Sequence, residues 1–269
     1  EAYYHDIMPL KLSRPLNLID RLSEIADECY AVVETNTVFP GQMPGFFQKS
    51  EIFQQYFSNV IKSERKIFGD IRFSKNVQNL IIQSGDLNNV DKSALEPALE
   101  SDVYVVFGAS FIKGWLIDHL VSNGAINIHM GISPYYRGSS CNFWSVYDNN
   151  PHLMGATIHM LSKGLDSGDI LYHVAPTIAN CSNPFDFTMM SVKSAHESLV
   201  QRISNGEIYK YNPVKQDSSL EVRYTRNSDF TDEIAKDFLE RSVNILDIEN
   251  TINKKYGSVD YIEPFHYLE

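Results

Sequence analysis

Val103-Tyr-Val-Val-Phe-Gly-Ala-Ser110 runs through Phe111–Leu120 into Ala125-Ile-Asn-Ile-His129, and this stretch decides the fold class. Val103–Phe107 is continuously apolar, as strands covered on both faces of a parallel sheet are. Gly108-Ala-Ser110 ends it, Phe111–Leu120 reads as a helix, and Ala125–Ile128 reads as the next strand. Working outward, Ala31–Val33 and Leu80–Ile82 are short strands upstream, and Ala156–Met160 and Ile170–Val174 are strands downstream around a Gly/Asp-rich loop. Strands alternating with helices over most of the length predict an α/β protein with a parallel sheet.

The helices have their own signals. Asp20–Tyr30 places Leu22, Ile25, Ala26 and Cys29 on one helical face. Residues 49–68 carry apolar pairs at helical spacing, and Gly69 stops them. Asn183-Pro184 is a helix start, and Phe185, Met189, Val192, His196, Leu199 and Ile203 continue as a stripe to Gly206. Lys210–Asn227 is polar, Phe230–Asn253 reads as helical, and Thr35–Phe47 is a loop rich in Pro, Gly and Phe. The first 19 residues give no clear element, because Pro9 and Pro15 interrupt any strand or helix drawn there. The expected division is 1–206 as the main domain and 207–269 as a small C-terminal extension.

Composition removes whole classes. The 269 residues are 43% hydrophobic and 21% charged, which excludes collagen, coiled coil and wholesale disorder. No run approaches the length of a membrane span. A net charge of −11 argues against broad neutralisation of nucleic-acid phosphates. Cys29, Cys141 and Cys181 are an odd number at long spacings and form no disulfide framework or CxxC site; they read as buried or idle thiols. The chain opens Glu-Ala-Tyr-Tyr without an initiator Met or a signal pattern, and the expectation is a cytoplasmic protein.

Two segments carry chemistry: Asn127-Ile-His-Met-Gly-Ile-Ser-Pro-Tyr-Tyr-Arg-Gly138 and Gly155-Ala-Thr-Ile-His-Met-Leu-Ser-Lys-Gly-Leu-Asp-Ser-Gly168. On an extended backbone Asn127 and His129 share a face. An Asn ending a buried strand needs a partner, and its amide can donate to a developing oxyanion while an imidazole handles the proton. Asp166, in a turn between Gly164 and Gly168, can bring its carboxylate to that imidazole. Such a set suits acyl transfer without a protein nucleophile. Taken singly, each has an ordinary alternative: a structural histidine, a turn-forming aspartate, a proline turn. His129, His159, Asp166, Asp169 and His173 also permit a metal triad on spacing alone, but Asn127 has no role in it, and the expectation is no metal. His159 is either a partner supporting the site or a core histidine.

Together the runs Asn-x-His, Ser-Pro-x-x-Arg-Gly and Thr-x-His-x-x-x-x-Gly-x-Asp-x-Gly resemble the folate-dependent formyltransferase family, clearly from Gly85 to Phe187 and thinly after residue 207. The resemblance implies a Rossmann-like fold with a mostly parallel central sheet flanked by helices, plus a short C-terminal extension. It implies formyl transfer from 10-formyltetrahydrofolate to an amine, with catalytic positions on Asn127, His129 and Asp166. The folate pocket falls on Ser110, Phe111, Ile112 and Lys113 and on Ser162, Lys163, Gly164 and Leu165, largely through main chain. Tyr135, Tyr136, Arg137 and Gly138 are the candidate acceptor positions, with Phe143 and Trp144 nearby.

The acceptor expected from length and layout is a small amine, best a nucleotide-linked amino sugar. Methionyl-tRNA is disfavoured by the acidic charge and the lack of a basic β-barrel domain. Glycinamide ribonucleotide, hydrolysis of the formyl-folate and a non-catalytic folate-binding paralogue are the remaining alternatives. Neither a membrane nor a nucleic acid is an expected partner. A homodimer is, with Leu239, Val243, Ile245, Leu246, Ile248 and Ile252 either supplying apolar surface for it or packing back on the core.

Overall fold

The computed structural model describes residues 13–35, 49–69, 76–255 and 257–267. Its elements begin with α1 (Ser13–Ser23), β1 (Cys29–Thr35), α2 (Glu51–Phe68) and β2 (Val77–Gln83). The short α3 (Lys92–Leu95), β3 (Val105–Phe107), α4 (Gly114–Ser122) and β4 (Ile126–His129) follow. Next come β5 (Tyr136–Gly138), α5 (Cys141–Tyr147), β6 (Ala156–Met160), β7 (Ile170–Ala175) and α6 (Pro184–Ser204). The chain closes with β8 (Arg223–Thr225), α7 (Asp232–Glu240), α8 (Ile245–Lys255) and β9 (Phe265–His266).

Five strands form the central sheet in the order β3-β4-β6-β7-β9. Period-two alternation in β3 explains why helices cover both faces. Val105 and Phe107 pack with Ile126, Ile128, Ala195 and Leu199 on the α6 side. Tyr104 and Val106 pack with Leu116, Ile117 and Leu120 of α4 on the other. Burying one such aliphatic side chain is worth roughly 1.5–3 kcal/mol, so the two layers hold the sheet from both sides. The loop at Thr35–Phe47 and the first 12 residues lie outside the described residues, apart from Thr35, which closes β1.

The α/β class is as expected, and parallel pairing predominates: β1·β2, β3·β4, β5·β8 and β7·β9 are parallel. The departures are β4·β6 and β6·β7, which are antiparallel. Residues 161–169 alone join β6 to β7, fewer than the dozen or more that a crossover to a parallel neighbour takes. The N-terminal helix also differs from the sequence reading. It spans Ser13–Ser23 and stops before Cys29, where β1 begins. Pro15 lies in its first turn, where a missing N–H breaks no helical bond.

A third, aromatic cluster lies where α2, α5, α7 and α8 meet. Tyr56, Phe143, Phe238 and Ile248 are buried in it, and Leu239, Val243, Ile245 and Ile252 pack against it. Leu246 is instead largely exposed. The polar stretch after residue 207 is tied back to the sheet. Val214 and Ile170 exchange both backbone hydrogen bonds at 2.8 Å, and β8 pairs with β5. Among the described residues no helix is long and apolar enough to cross a membrane.

Candidate active site

β4 lies between β3 and β6, with Asn127 opposite His159 and His129 opposite Thr157. His129 is the last residue of the strand rather than the first beyond it. Asn127 and His129 therefore keep the shared face that their spacing predicts.

Asn127 Nδ2 lies 2.9 Å from His159 Nε2. His159 Nδ1 lies 2.8 Å from the Met160 carbonyl oxygen, so Nδ1 carries the proton and Nε2 accepts from the amide. Burial, aided by the charge of His129, pushes His159 down to about 4 and keeps it neutral. The Asn127 amide is thereby oriented, and its second N–H remains for another acceptor.

His129 has the opposite character. Its Nδ1 is 3.4 Å from Asp166 Oδ2, and its Nε2 is 3.2 Å from the Tyr136 carbonyl oxygen. Both ring nitrogens thus face acceptors, which suits the doubly protonated ring. Burial opposes that charge, but the Cys141 thiol and the Asp166 carboxylate outweigh it and hold His129 well above the usual histidine value. Burial would likewise raise Asp166, yet its hydrogen bond and charge interaction with His129 hold it below the usual carboxylate range. An imidazolium–carboxylate pair results.

The loop after β4 is fixed from beneath. Thr157 Oγ1 donates to the Gly131 carbonyl at 2.6 Å and accepts from the Ser133 N–H at 2.8 Å. His173 Nε2 donates to the Ser133 carbonyl at 2.8 Å, while its Nδ1 accepts from the Ile262 N–H at 2.9 Å. Gly131 has φ +150, and a Cβ there would sit 2.5 Å from Cys141 Cβ, so only glycine lets the loop pass between His129 and α5.

A cavity of about 540 Å³ opens beside these groups, within the usual range for small-molecule sites. Asn127, His129, Asp166 and His159 line it, together with Ser110, Phe111 and Ile112 after β3 and Ser162, Gly164 and Leu165 after β6. Gly138 lines it too. Other expected positions lie elsewhere. Lys113 gives its N–H to Asn88 Oδ1 at 2.8 Å, and Lys163 pairs with Asp118 at 2.5 Å. Tyr136 is 1% exposed, with its hydroxyl donating to Asp148 and accepting from Asn150, each at 3.1 Å. Tyr135 packs on the aromatic cluster. Arg137 pairs with Glu221 at 3.2 Å. Phe143 lines the cavity, whereas Trp144 is buried under the Arg223 guanidinium at 4.5 Å.

Several lining residues had no signal in the motifs: Ser139, Ser140, Cys141, Asn227, Phe230 and Tyr56. The first three follow the Arg-Gly of the first motif directly, and continuing that motif by three residues would have found them. Asn227 and Phe230 arrive only through the β5·β8 pairing, which no local pattern announces. Cys141, read as an idle thiol, is indeed free and buried, but it stands against His129. Among the described residues no group of three or more His, Cys, Asp or Glu side chains is arranged to hold a metal ion.

Comparison with known proteins identifies the segment that builds this site. Residues 76–203 match the formyl transferase family. The matched segment runs from just before β2 to within α6 and encloses Asn127, His129 and Asp166. The methionyl-tRNA formyltransferase of Trichodesmium erythraeum is 27% identical over 155 residues, 57% of this chain and 44% of that protein. The corresponding protein of Lachnospira eligens is 33% identical over 120 residues, 44% of this chain and 38% of that one. The chain thus spans less than half the length of these curated relatives. A solved 4-N formyltransferase from Francisella tularensis is 22% identical, with 64% of this chain and 74% of that chain covered and a TM-score of 0.42.

Proposed function

We propose that this protein transfers a formyl group from 10-formyltetrahydrofolate to the primary amine of a small acceptor, with Asn127, His129 and Asp166 as the catalytic residues. The observation that carries the reading is the convergence of an oriented amide and an imidazolium–carboxylate pair on one cavity. The cavity fits a folate on its own terms. Ser110–Ile112 and the loop of Ser162, Gly164 and Leu165 both line it, and the size is right for a large part of such a ligand.

The folate supplies the formyl carbon; the protein supplies charge and proton handling. Transfer forms a bond from the acceptor nitrogen to the formyl carbon and breaks the bond from that carbon to N10. Asn127 Nδ2 donates to the formyl oxygen as negative charge develops there. His129, held protonated, stabilises that charge and passes a proton toward N10. Asp166 balances the imidazolium and, through water, takes the proton that the amine loses.

The acceptor best supported is a nucleotide-linked amino sugar. Ser139, Ser140 and Asn227 offer hydrogen-bonding groups to a sugar, and Phe230, half-buried at the cavity wall, offers aromatic surface to a base. The net charge of −11 weighs against tRNA. The deciding experiment presents 10-formyltetrahydrofolate with nucleotide-linked amino sugars, glycinamide ribonucleotide, methionyl-tRNA and no acceptor, and follows release of tetrahydrofolate. Release only with an amino sugar is expected. Release without acceptor would make the protein a hydrolase, and release only with tRNA would overturn the acceptor.

A further inference from the structure

Beyond the matched segment, one side chain reaches back to the loop that carries Asp166. Gln216 follows Val214, whose two backbone hydrogen bonds with Ile170 anchor it beside β7. Its Nε2 donates to the Asp166 carbonyl at 2.9 Å and to the Gly168 carbonyl at 2.8 Å. Both partners are carbonyl oxygens, so the amide nitrogen must face them and the orientation is fixed. The opposite atom, Gln216 Oε1, is buried without a partner. Leaving it so costs free energy, and the fold accepts that in return for the two bonds at Nε2.

The loop needs such support. Asp166 has φ +45, a conformation unfavourable for a residue with a Cβ. Two residues later, Gly168 packs so tightly that a Cβ would stand 1.7 Å from the Met160 carbonyl oxygen. The Asp166 side chain must nonetheless hold its place 3.4 Å from His129 Nδ1. The two hydrogen bonds from Gln216 act on the main chain at this left-handed turn and favour the conformation that its own residues resist.

We propose that Gln216 is a positioning residue, which clamps the main chain of Asp166 and Gly168 and so sets the distance from the Asp166 carboxylate to His129. The inference rests on the reading of that pair as the proton-handling machinery. It makes the segment after α6 part of the active site through main-chain contacts rather than substrate contacts.

The test uses two variants of the full chain. Gln216→Ala removes the amide, and Gln216→Glu keeps its shape but sets a carboxylate against two carbonyl oxygens; the isosteric variant keeps the test alive where the smaller one does not fold. The readouts are kcat, the KM for the amine and the titration of His129 by NMR of ring nitrogens, read with its neighbours Asp166, Cys141, His159 and Arg137 intact. Expected are a kcat lowered about tenfold or more, as loss of an orienting partner commonly gives, an unchanged amine KM, and a His129 that loses its proton at lower pH. Gln216→Glu falls at least as far as Gln216→Ala. Folded variants with wild-type kcat and His129 titration, even with a lowered Tm, would overturn the proposal. A shifted His129 titration in a protein inactive toward every amine would leave the clamp standing and sink the formyl-transfer reading instead.

Discussion

Asn127 Nδ2 on β4 and His159 Nε2 on β6 are 2.9 Å apart across an antiparallel pairing that sets the two residues directly opposite. The bond makes a neutral, buried histidine the orienter of an amide, and leaves the charged histidine, His129, two residues further along the same strand. Position in the sheet therefore assigns different roles to two chemically identical rings.

The first prediction follows from that bond. Asn127→Ala removes the donor to the formyl oxygen and lowers kcat about 10²–10³-fold. His159→Phe keeps the ring volume but frees the Asn127 amide to rotate, and lowers kcat roughly 10–100-fold. Single-turnover formyl transfer measures both, and equal activity of His159→Phe and wild type would remove His159 from the account.

A second prediction concerns alkaline pH. Asp166 and Cys141, against the effect of burial, hold His129 well above its usual value, so kcat stays level through neutrality and falls as His129 deprotonates. The sign for stability is the same: the His129 contribution is complete below the unfolded histidine value near 6.5 and is lost as pH rises through the raised folded value. Asp166→Asn removes the counter-charge, and the alkaline limb of the pH–rate profile moves to lower pH. An unmoved limb would mean that Asp166 does not set the protonation of His129.

Acid pH acts through other histidines. Burial holds His159 and His173 at about 4 and His196, with Arg14 adding its charge, at about 3. Each binds a proton more readily unfolded than folded, so stability is fully present above about 6.5 and is lost as pH falls toward those values. At about 1.36 kcal/mol per pKa unit the full loss is on the order of 3 kcal/mol for His159 and for His173 and about 5 kcal/mol for His196. Tm measured from pH 7 to pH 4 should fall steeply, and His196→Phe should flatten part of that fall. A flat profile for wild type would show that these rings are hydrated.

Much of this was legible in the sequence, for identifiable reasons. Ala156–Met160 was readable as a strand to the residue, because its apolar and β-branched side chains lie between turn signals. Two motifs single out Asn127, His129 and Asp166, and the fold brings all three to one cavity. Pro15 reads as a breaker in the sequence but occupies the first turn of α1, where it breaks no helical bond. The antiparallel setting of β6 was hidden, because a buried strand has the same composition in either direction. Tyr136 looked available in Tyr-Tyr-Arg-Gly and is instead buried at 1% exposure. Whether a tyrosine in such a loop faces ligand or core depends on Asp148 and Asn150, which no spacing rule connects to it.

The last prediction tests whether the C-terminal strand is integral to the site. Gly138 has φ +87, and a Cβ there would stand 2.0 Å from the Thr225 carbonyl oxygen in the paired strand β8. The obstacle is backbone, which cannot rotate aside as a flexible side chain can. Gly138→Ala therefore combines left-handed strain of roughly 1–2 kcal/mol with overpacking of about 1–3 kcal/mol, for a total loss of about 2–5 kcal/mol in unfolding free energy. Because β8 leads directly to Asn227 and Phe230 in the cavity wall, the separation of β5 from β8 should also raise the acceptor KM more than it lowers kcat. Denaturant unfolding gives the first quantity and steady-state kinetics at saturating folate the second. A stable variant with an unchanged acceptor KM would show that β8 can shift without disturbing the wall, and would detach the C-terminal segment from acceptor binding.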